Sequence, residues 1–194
     1  MAEPHDPNAL PPDLPVPEDD GACDHLTGMA VPHIALPATA GPDVDLAAIG
    51  STRTVVYAYP RTGVPGQPLP EGWDLIPGAR GCTPQSCAFR DHHQELKDLG
   101  AAVYGLSTQT TDYQREMAGR LHLPFPVLSD HDLRLTGALR LPTFEAAGMT
   151  LIKRLTLVLR GGTIEHVFYP VFPPDRSAEA VIDWLVRRRV STKS

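Results

Sequence analysis

From about Met29 onward, apolar and polar positions fall into short patterned blocks. Ile34, Leu36, Val44 and Leu46 flank a turn at Gly41-Pro42-Asp43, which predicts a short hairpin. Thr54 to Tyr59 is a run of β-branched, apolar and aromatic residues stopped by Pro60, the pattern of a buried central strand. Arg61 to Arg80 is rich in Pro and Gly and predicts a loop that is long for a compact domain; loops of that length are usually functional or disordered. A helix is predicted from Thr83-Pro84, with proline in its first turn, to a stop at Gly100. Val103–Ser107 reads as the next strand, Asp112–Leu121 as a helix, Phe125–Leu128 as a short strand and Asp130–Leu139 as helix again. Leu155–Arg160 and Thr163–Tyr169 flank Gly161-Gly162, a two-residue hairpin signal. Ser177 is placed to cap a last amphipathic helix in which Ala180, Val181, Trp184 and Leu185 share a face. Strands alternating with helices, then a hairpin and a closing helix, describe an α/β fold with a central mixed sheet flanked by helices.

Composition separates the ends of the chain. The first twenty residues hold six acids, six prolines and no Lys or Arg, and they account for the whole net charge of −6. Such a segment buries too little apolar surface to offset its ordering entropy, so residues 1–24 are expected to be a disordered acidic, Pro-rich arm and residues 25–194 the folded domain. The acidic balance argues against nucleic acid and anionic lipid as partners. No apolar run is long enough for a membrane span, and the start of the chain lacks the basic and apolar regions of a signal peptide, which predicts a cytoplasmic protein. Three cysteines do not make a disulfide framework; in a reducing compartment they are catalytic, metal-binding or inert.

The chemistry concentrates in Gly81-Cys82-Thr83-Pro84-Gln85-Ser86-Cys87-Ala88-Phe89-Arg90-Asp91. A cysteine opening a helix faces unpaired N–H groups and the positive end of the helix dipole, both of which favour the thiolate nucleophile. Position alone leaves a second reading open, in which Cys82 and Cys87 are small apolar side chains of a core helix. Five residues along an ideal helix separate Cα atoms by roughly 8–9 Å, whereas a disulfide needs less than about 7 Å. If the two cysteines pair, the first turns of the helix must unwind, and the bond is catalytic or regulatory rather than a staple.

Taken with the Val-Val-Tyr-Ala-Tyr-Pro strand, Val-Tyr-Gly-Leu-Ser-Thr, Phe-Pro-Val-Leu-Ser-Asp, Lys-Arg-Leu-Thr-Leu-Val-Leu and Ile-Glu-His-Val-Phe-Tyr-Pro-Val, in that order, this segment resembles the peroxiredoxins. The likeness runs from about Gly28 to Leu185 and is nearest to the bacterioferritin-comigratory (Q-type) branch. It implies a thioredoxin-like fold and thiol-dependent reduction of hydrogen peroxide or organic hydroperoxides. Cys82 matches the peroxidatic cysteine and Cys87 the resolving cysteine, which would form an intrachain disulfide reset by a thioredoxin-like reductant. Arg154 matches the arginine beside the peroxidatic sulfur, where a fixed cation stabilises developing charge. The resemblance implies no cofactor, and it leaves monomer or homodimer open.

The chain departs from the family pattern where a threonine three residues before the cysteine orients the peroxide. That position is Ala79, and about fifteen inserted residues (Val64 to Gly78) separate Tyr59-Pro60 from Cys82. Thr62 is the expected replacement hydroxyl, with Thr83 as the other candidate, and the role could also be lost. The departure keeps two alternatives in play on the same fold. One is a thiol-disulfide exchanger or specialised biosynthetic redox enzyme; the other is a non-enzymatic redox sensor or holdase-like binding protein. Cys23 could serve as another resolving thiol or join two chains, but is expected to be an uninvolved exposed thiol. His92 and His93 lie close to the cysteines, yet adjacent helical histidines point about 100° apart, so solvated side chains rather than a zinc site are expected.

Overall fold

The computed structural model describes residue 6 and residues 8–191. A five-stranded sheet forms the centre. Its strands are β3 (Arg53–Ala58), β4 (Ala101–Ser107), β5 (Val127–Ser129), β8 (Leu155–Arg160) and β9 (Thr163–Phe168), in the order β5-β4-β3-β8-β9. β3 runs parallel to β4, β4 parallel to β5, and β8 antiparallel to both β3 and β9. The Thr54–Tyr59 run thus fills the middle position that its two-sided apolar character requires. Two small antiparallel ribbons complete the strands: β1 (Ala35–Leu36) with β2 (Val44–Asp45), and β6 (Thr143–Ala146) with β7 (Met149–Ile152).

Alternation along β3 divides the core. Val55 and Tyr57 point to one face, with Phe89 of α1 (Cys82–Asp91), Leu96 of α2 (His93–Asp98), Met117 of α3 (Thr111–Arg120) and Val181 of α5 (Ser177–Ser191). Val56 and Ala58 point to the other, with Leu135 and Leu139 of α4 (Arg134–Leu139) and the segment from Cys23 to Leu46. This is the thioredoxin-like α/β arrangement that the sequence led us to expect. Among the described residues no helix is long and apolar enough to cross a membrane.

Several details differ from the sequence expectation. The predicted helix from Thr83 to Gly100 is two helices, because His92 leaves helical geometry (φ −95°, ψ 8°) and its side chain turns to Glu95. The buried stripe of α5 is Ala178, Val181, Ile182 and Leu185, with Trp184 half-buried and Ala180 facing solvent. The β6–β7 ribbon was not predicted; its turn uses Ala147 and Gly148 at positive φ, and an alanine there carries no turn signature. The acidic arm, expected to be free, lies against the body over its described residues. Asp20 accepts hydrogen bonds from Lys153 Nζ and from Tyr169 OH, both at 2.8 Å, and Leu10 packs over Gly81. Ion pairing and proline contacts replace the apolar burial that the arm's composition lacks.

Candidate active site

Cys82 is the first residue of α1, and Gly81 before it has φ +98°. A Cβ at Gly81 would lie 2.3 Å from Pro174 Cγ and 2.9 Å from Leu10 Cδ2, so the chain passes under both only because glycine has no side chain. Cys82 is almost fully buried, and its thiol donates to the Ala79 carbonyl at 3.6 Å.

Arg154, between β7 and β8, reaches that sulfur, with Nη2 at 3.2 Å from Sγ. The same nitrogen meets the carbonyls of Gly78, Ala79 and Arg80 at 3.2, 3.3 and 2.9 Å. Nη1 donates to Gln85 Oε1, and Gln85 Nε2 donates to Ser177 Oγ at 3.2 Å. The guanidinium is therefore fixed in place by α1, the start of α5 and the end of the inserted loop. Among the described residues its hydrogen-bond partners are three carbonyls, the Gln85 amide oxygen and the Cys82 sulfur, with no carboxylate. Gln85 was not singled out from sequence; it lies three residues after Cys82, hence on the same helix face, and that spacing was the available signal.

Above the sulfur is a narrow cleft of about 10 Å³, lined by Cys82, Thr83, Arg61, Gly63, Leu69, Trp73 and Arg80. A space of that order holds about one water. Its outer wall is the insertion, which carries its own anchor. Trp73 is buried against Leu69, Ile76, Ala79 and Leu151, with its ring 6.2 Å from that of Phe144 on β6. Thr62 is also buried but does not line the cleft; its amide and hydroxyl both face Gln109 Oε1, at 3.1 and 3.4 Å. Of the two threonines considered, Thr83 lines the cleft and Thr62 is turned away. Tyr59, buried in the same apolar layer as Cys82, keeps a hydroxyl without a hydrogen-bond partner among the described residues, and burial pushes its ionisation well above the ordinary tyrosine range.

Cys87 sits one and a half turns further along the unbroken α1, half-buried in a hollow shared with Asn8, Leu10 and Arg90. Both thiols are free, and burial raises the Cys87 thiol above its ordinary range despite the opposing pull of Arg90. Cys23 is not the exposed thiol expected from sequence. It is buried in the opposite layer, where burial and then the charges of Asp20, Asp19 and Asp24 push it up to about 12. His92 pairs with Glu95 at 3.1 Å and the His93 ring packs 5.6 Å from Phe125, so neither turns to the sulfurs.

The Redoxin family profile matches residues 26–182. Among curated proteins, the chain is 30% identical over 162 residues to peroxiredoxin Bcp of Escherichia coli, covering 81% of this chain and 94% of that one. It is 29% identical over 159 residues to the chloroplastic peroxiredoxin Q of Gentiana triflora, covering 81% of this chain and 65% of the gentian protein. With the rice chloroplastic peroxiredoxin Q the identity is 31% over 150 residues, spanning 77% of this chain and 61% of its relative. Among solved structures, peroxidoxin BcpB of Mycobacterium tuberculosis superposes with a TM-score of 0.67 at 24% identity, over 84% of this chain and 98% of that one. A mutant of Xylella fastidiosa PrxQ gives 0.68 at 19% identity, over 85% and 98%.

Proposed function

The chain belongs to the redoxin family, among relatives named peroxiredoxin Q and Bcp, and from that premise we propose that it is a thiol-dependent peroxidase with Cys82 as nucleophile. The observation that carries this reading is the guanidinium of Arg154 at 3.2 Å from the Cys82 sulfur, at the first turn of a helix and beside a narrow cleft. Arg154 sets a fixed cation directly against the attacking sulfur, where it stabilises charge developing in the reaction. The thiolate attacks the hydroxyl oxygen of a hydroperoxide: an S–O bond forms, the O–O bond breaks, and two electrons pass from sulfur to the peroxide. The departing hydroxide or alkoxide takes a proton from solvent, leaving a sulfenic acid on Cys82.

Cys87 is the proposed resolving residue. Its thiolate attacks the Cys82 sulfur, forms the S–S bond and breaks the S–O bond, and the hydroxide expelled takes a proton from solvent to leave as water. Because both residues lie on one continuous helix, this step requires α1 to open, which also relieves the burial that keeps the Cys87 thiol protonated. A thioredoxin-like dithiol then restores both cysteines by disulfide exchange. The substrate class is hydrogen peroxide or an organic hydroperoxide, and a cytoplasmic location belongs to the same proposal.

Stopped-flow mixing with hydrogen peroxide tests it. We expect Cys82 to oxidise orders of magnitude faster than a free thiol, and the Cys82–Cys87 disulfide to appear in the mass spectrum of the wild type. Full turnover by Cys82→Ser, or a rate no greater than that of free cysteine, would overturn the assignment.

A further inference from the structure

The acidic arm lies against the one helix that the proposed resolving step has to unwind. At Asp6, Asn8 and Ala9 it is folded on itself: Asp6 Oδ1 accepts from the Asn8 amide at 2.9 Å and from Asn8 Nδ2 at 3.1 Å, and the Ala9 amide donates to the Asp6 carbonyl at 3.3 Å. The Asp6 and Ala9 carbonyls both accept from Arg80 Nη2, at 3.2 and 3.4 Å. Leu10 follows, half-buried, with its Cδ2 2.9 Å from the point where a Cβ on Gly81 would stand. Asn8 and Leu10 also line the hollow that holds Cys87.

Further along, Pro17 packs on Gly78, and Asp20 is held by Lys153 and Tyr169. Pro11, Pro12, Pro15 and Pro17 restrict the backbone between these anchors, so laying the arm down costs less entropy than ordering a flexible segment of that length. The arm therefore grips the body at Gly78, Arg80 and Gly81, directly before Cys82, and again beside Cys87. Leu10 belongs to both places. Cys82 and Cys87 stand five residues apart on an unbroken helix and meet only when the start of α1 unwinds. That unwinding moves one end of the pair relative to the other, and so has to break the seat of Leu10.

We propose that the arm is a strap over α1, with Leu10 as its positioning residue: it keeps the helix wound after Cys82 has been oxidised, and resolution by Cys87 waits until the arm lifts. The inference rests on the peroxidase reading above, with Cys87 as resolving thiol. While the strap is down, the Cys82 sulfenic acid is kept from Cys87 and meets a second peroxide instead. A further S–O bond forms, the O–O bond breaks, two electrons pass from sulfur, and the hydroxide released takes a proton from solvent. The product is a sulfinic acid, which a dithiol does not reverse. When the strap lifts, the Cys87 thiolate forms the S–S bond, the S–O bond breaks and hydroxide leaves. Leu10 is not among the residues that line the cleft above Cys82, so it acts on this second step and not on the first oxidation.

Substitutions at Leu10 in the full chain test the strap. Leu10→Ala trims the contact on Gly81, Leu10→Asp sets a charge there, and Leu10→Met keeps an apolar side chain of similar size. Asp13→Asn alters an exposed position of the same arm and serves as control. Stopped-flow oxidation of Cys82 by hydrogen peroxide would be followed beside quench-flow mass spectrometry of the Cys82–Cys87 disulfide and of Cys82 sulfinic acid. Losing roughly half the burial of a leucine should let Leu10→Ala form the disulfide about tenfold faster, and Leu10→Asp at least as fast. Sulfinic acid at high peroxide should fall in proportion, while the first oxidation keeps its wild-type rate. Leu10→Met and Asp13→Asn should behave as wild type. The inference fails if neither Leu10→Ala nor Leu10→Asp speeds disulfide formation, or if the first oxidation changes in step with it. A wild type whose Cys82 reacts no faster than free cysteine would instead remove the peroxidase reading, and one oxidised without the Cys82–Cys87 disulfide would remove the resolving assignment.

Discussion

Replacing Gly81 by alanine probes the geometry on which the site depends. The new Cβ would stand 2.3 Å from Pro174 Cγ and 2.9 Å from Leu10 Cδ2, at a backbone φ of +98°. Carbon atoms rest about 3.5 Å or more apart, so the 3-10 turn Pro174–Arg176 would have to retreat by about 1.2 Å, or α1 would have to shift. Leu10 is the end of a flexible side chain and can yield; the Pro174 ring cannot without moving the start of α5. Overpacking of this kind costs about 1–3 kcal/mol, and a left-handed backbone at alanine about 1–2 kcal/mol more. Gly41→Ala is the matched control, because Gly41 also has positive φ (+76°) but nothing within 4 Å of the added carbon. For a domain of this size each kcal/mol shifts melting by about 2–4 °C, so Gly81→Ala should melt below Gly41→Ala by about 2–12 °C in far-UV circular dichroism. It should also lose about 100-fold in peroxide rate, since displacing α1 by about 1 Å carries Cys82 away from Arg154, whereas Gly41→Ala should turn over normally. Equal melting temperatures and equal rates for the two variants would refute the close packing of Pro174 on Gly81.

Removing the guanidinium with Arg154→Met should lower the second-order rate of Cys82 oxidation by about 100- to 1000-fold in the same stopped-flow assay; a change of less than threefold would exclude Arg154 from the reaction. Cys23, with its thiol held up to about 12, should resist iodoacetamide at pH 8 in the native protein and react once urea unfolds it, as peptide mass mapping would show. Asp20 is held down to about 2, first by its hydrogen bond from Lys153 and then by that from Tyr169. A depressed carboxylate contributes stability that is fully present above its unfolded value near 4 and fades as pH falls toward 2. Limited proteolysis with an acid protease should therefore release the arm progressively between those values. Asp20→Asn, which lacks the ionised partner, should show no such pH step.

The central strand was legible because β3 is buried on both faces, and double burial leaves a continuous apolar run that needs no partner to be recognised. The β8–β9 hairpin announced itself through Gly161-Gly162. The β6–β7 ribbon did not, because its stability comes from outside it: Phe144 and Leu151 pack with Trp73, a residue about seventy positions upstream. Within α5, Val181 and Leu185 lie on the buried face as expected, but Ala178 and Ile182 rather than Ala180 complete it, since the two alanines are equally plausible in sequence and only packing decides between them. Cys82 could be flagged by its place at a helix start. Arg154, 72 residues away, has no local pattern connecting it to the sulfur, and only a family resemblance could pair them. Thr62 was a reasonable substitute by residue type, but Gln109 claims its hydroxyl.

Because successive side chains of β3 project to opposite sides, Cys23 and Cys82 are screened from each other by the full thickness of the sheet. Fraying of α1 alone does not bring them together; Cys23 would also have to leave its own layer. A cross-link that includes Cys23 accordingly records that its segment had left the body of the fold. Found in a purified sample, it would identify molecules to discard before any rate is measured.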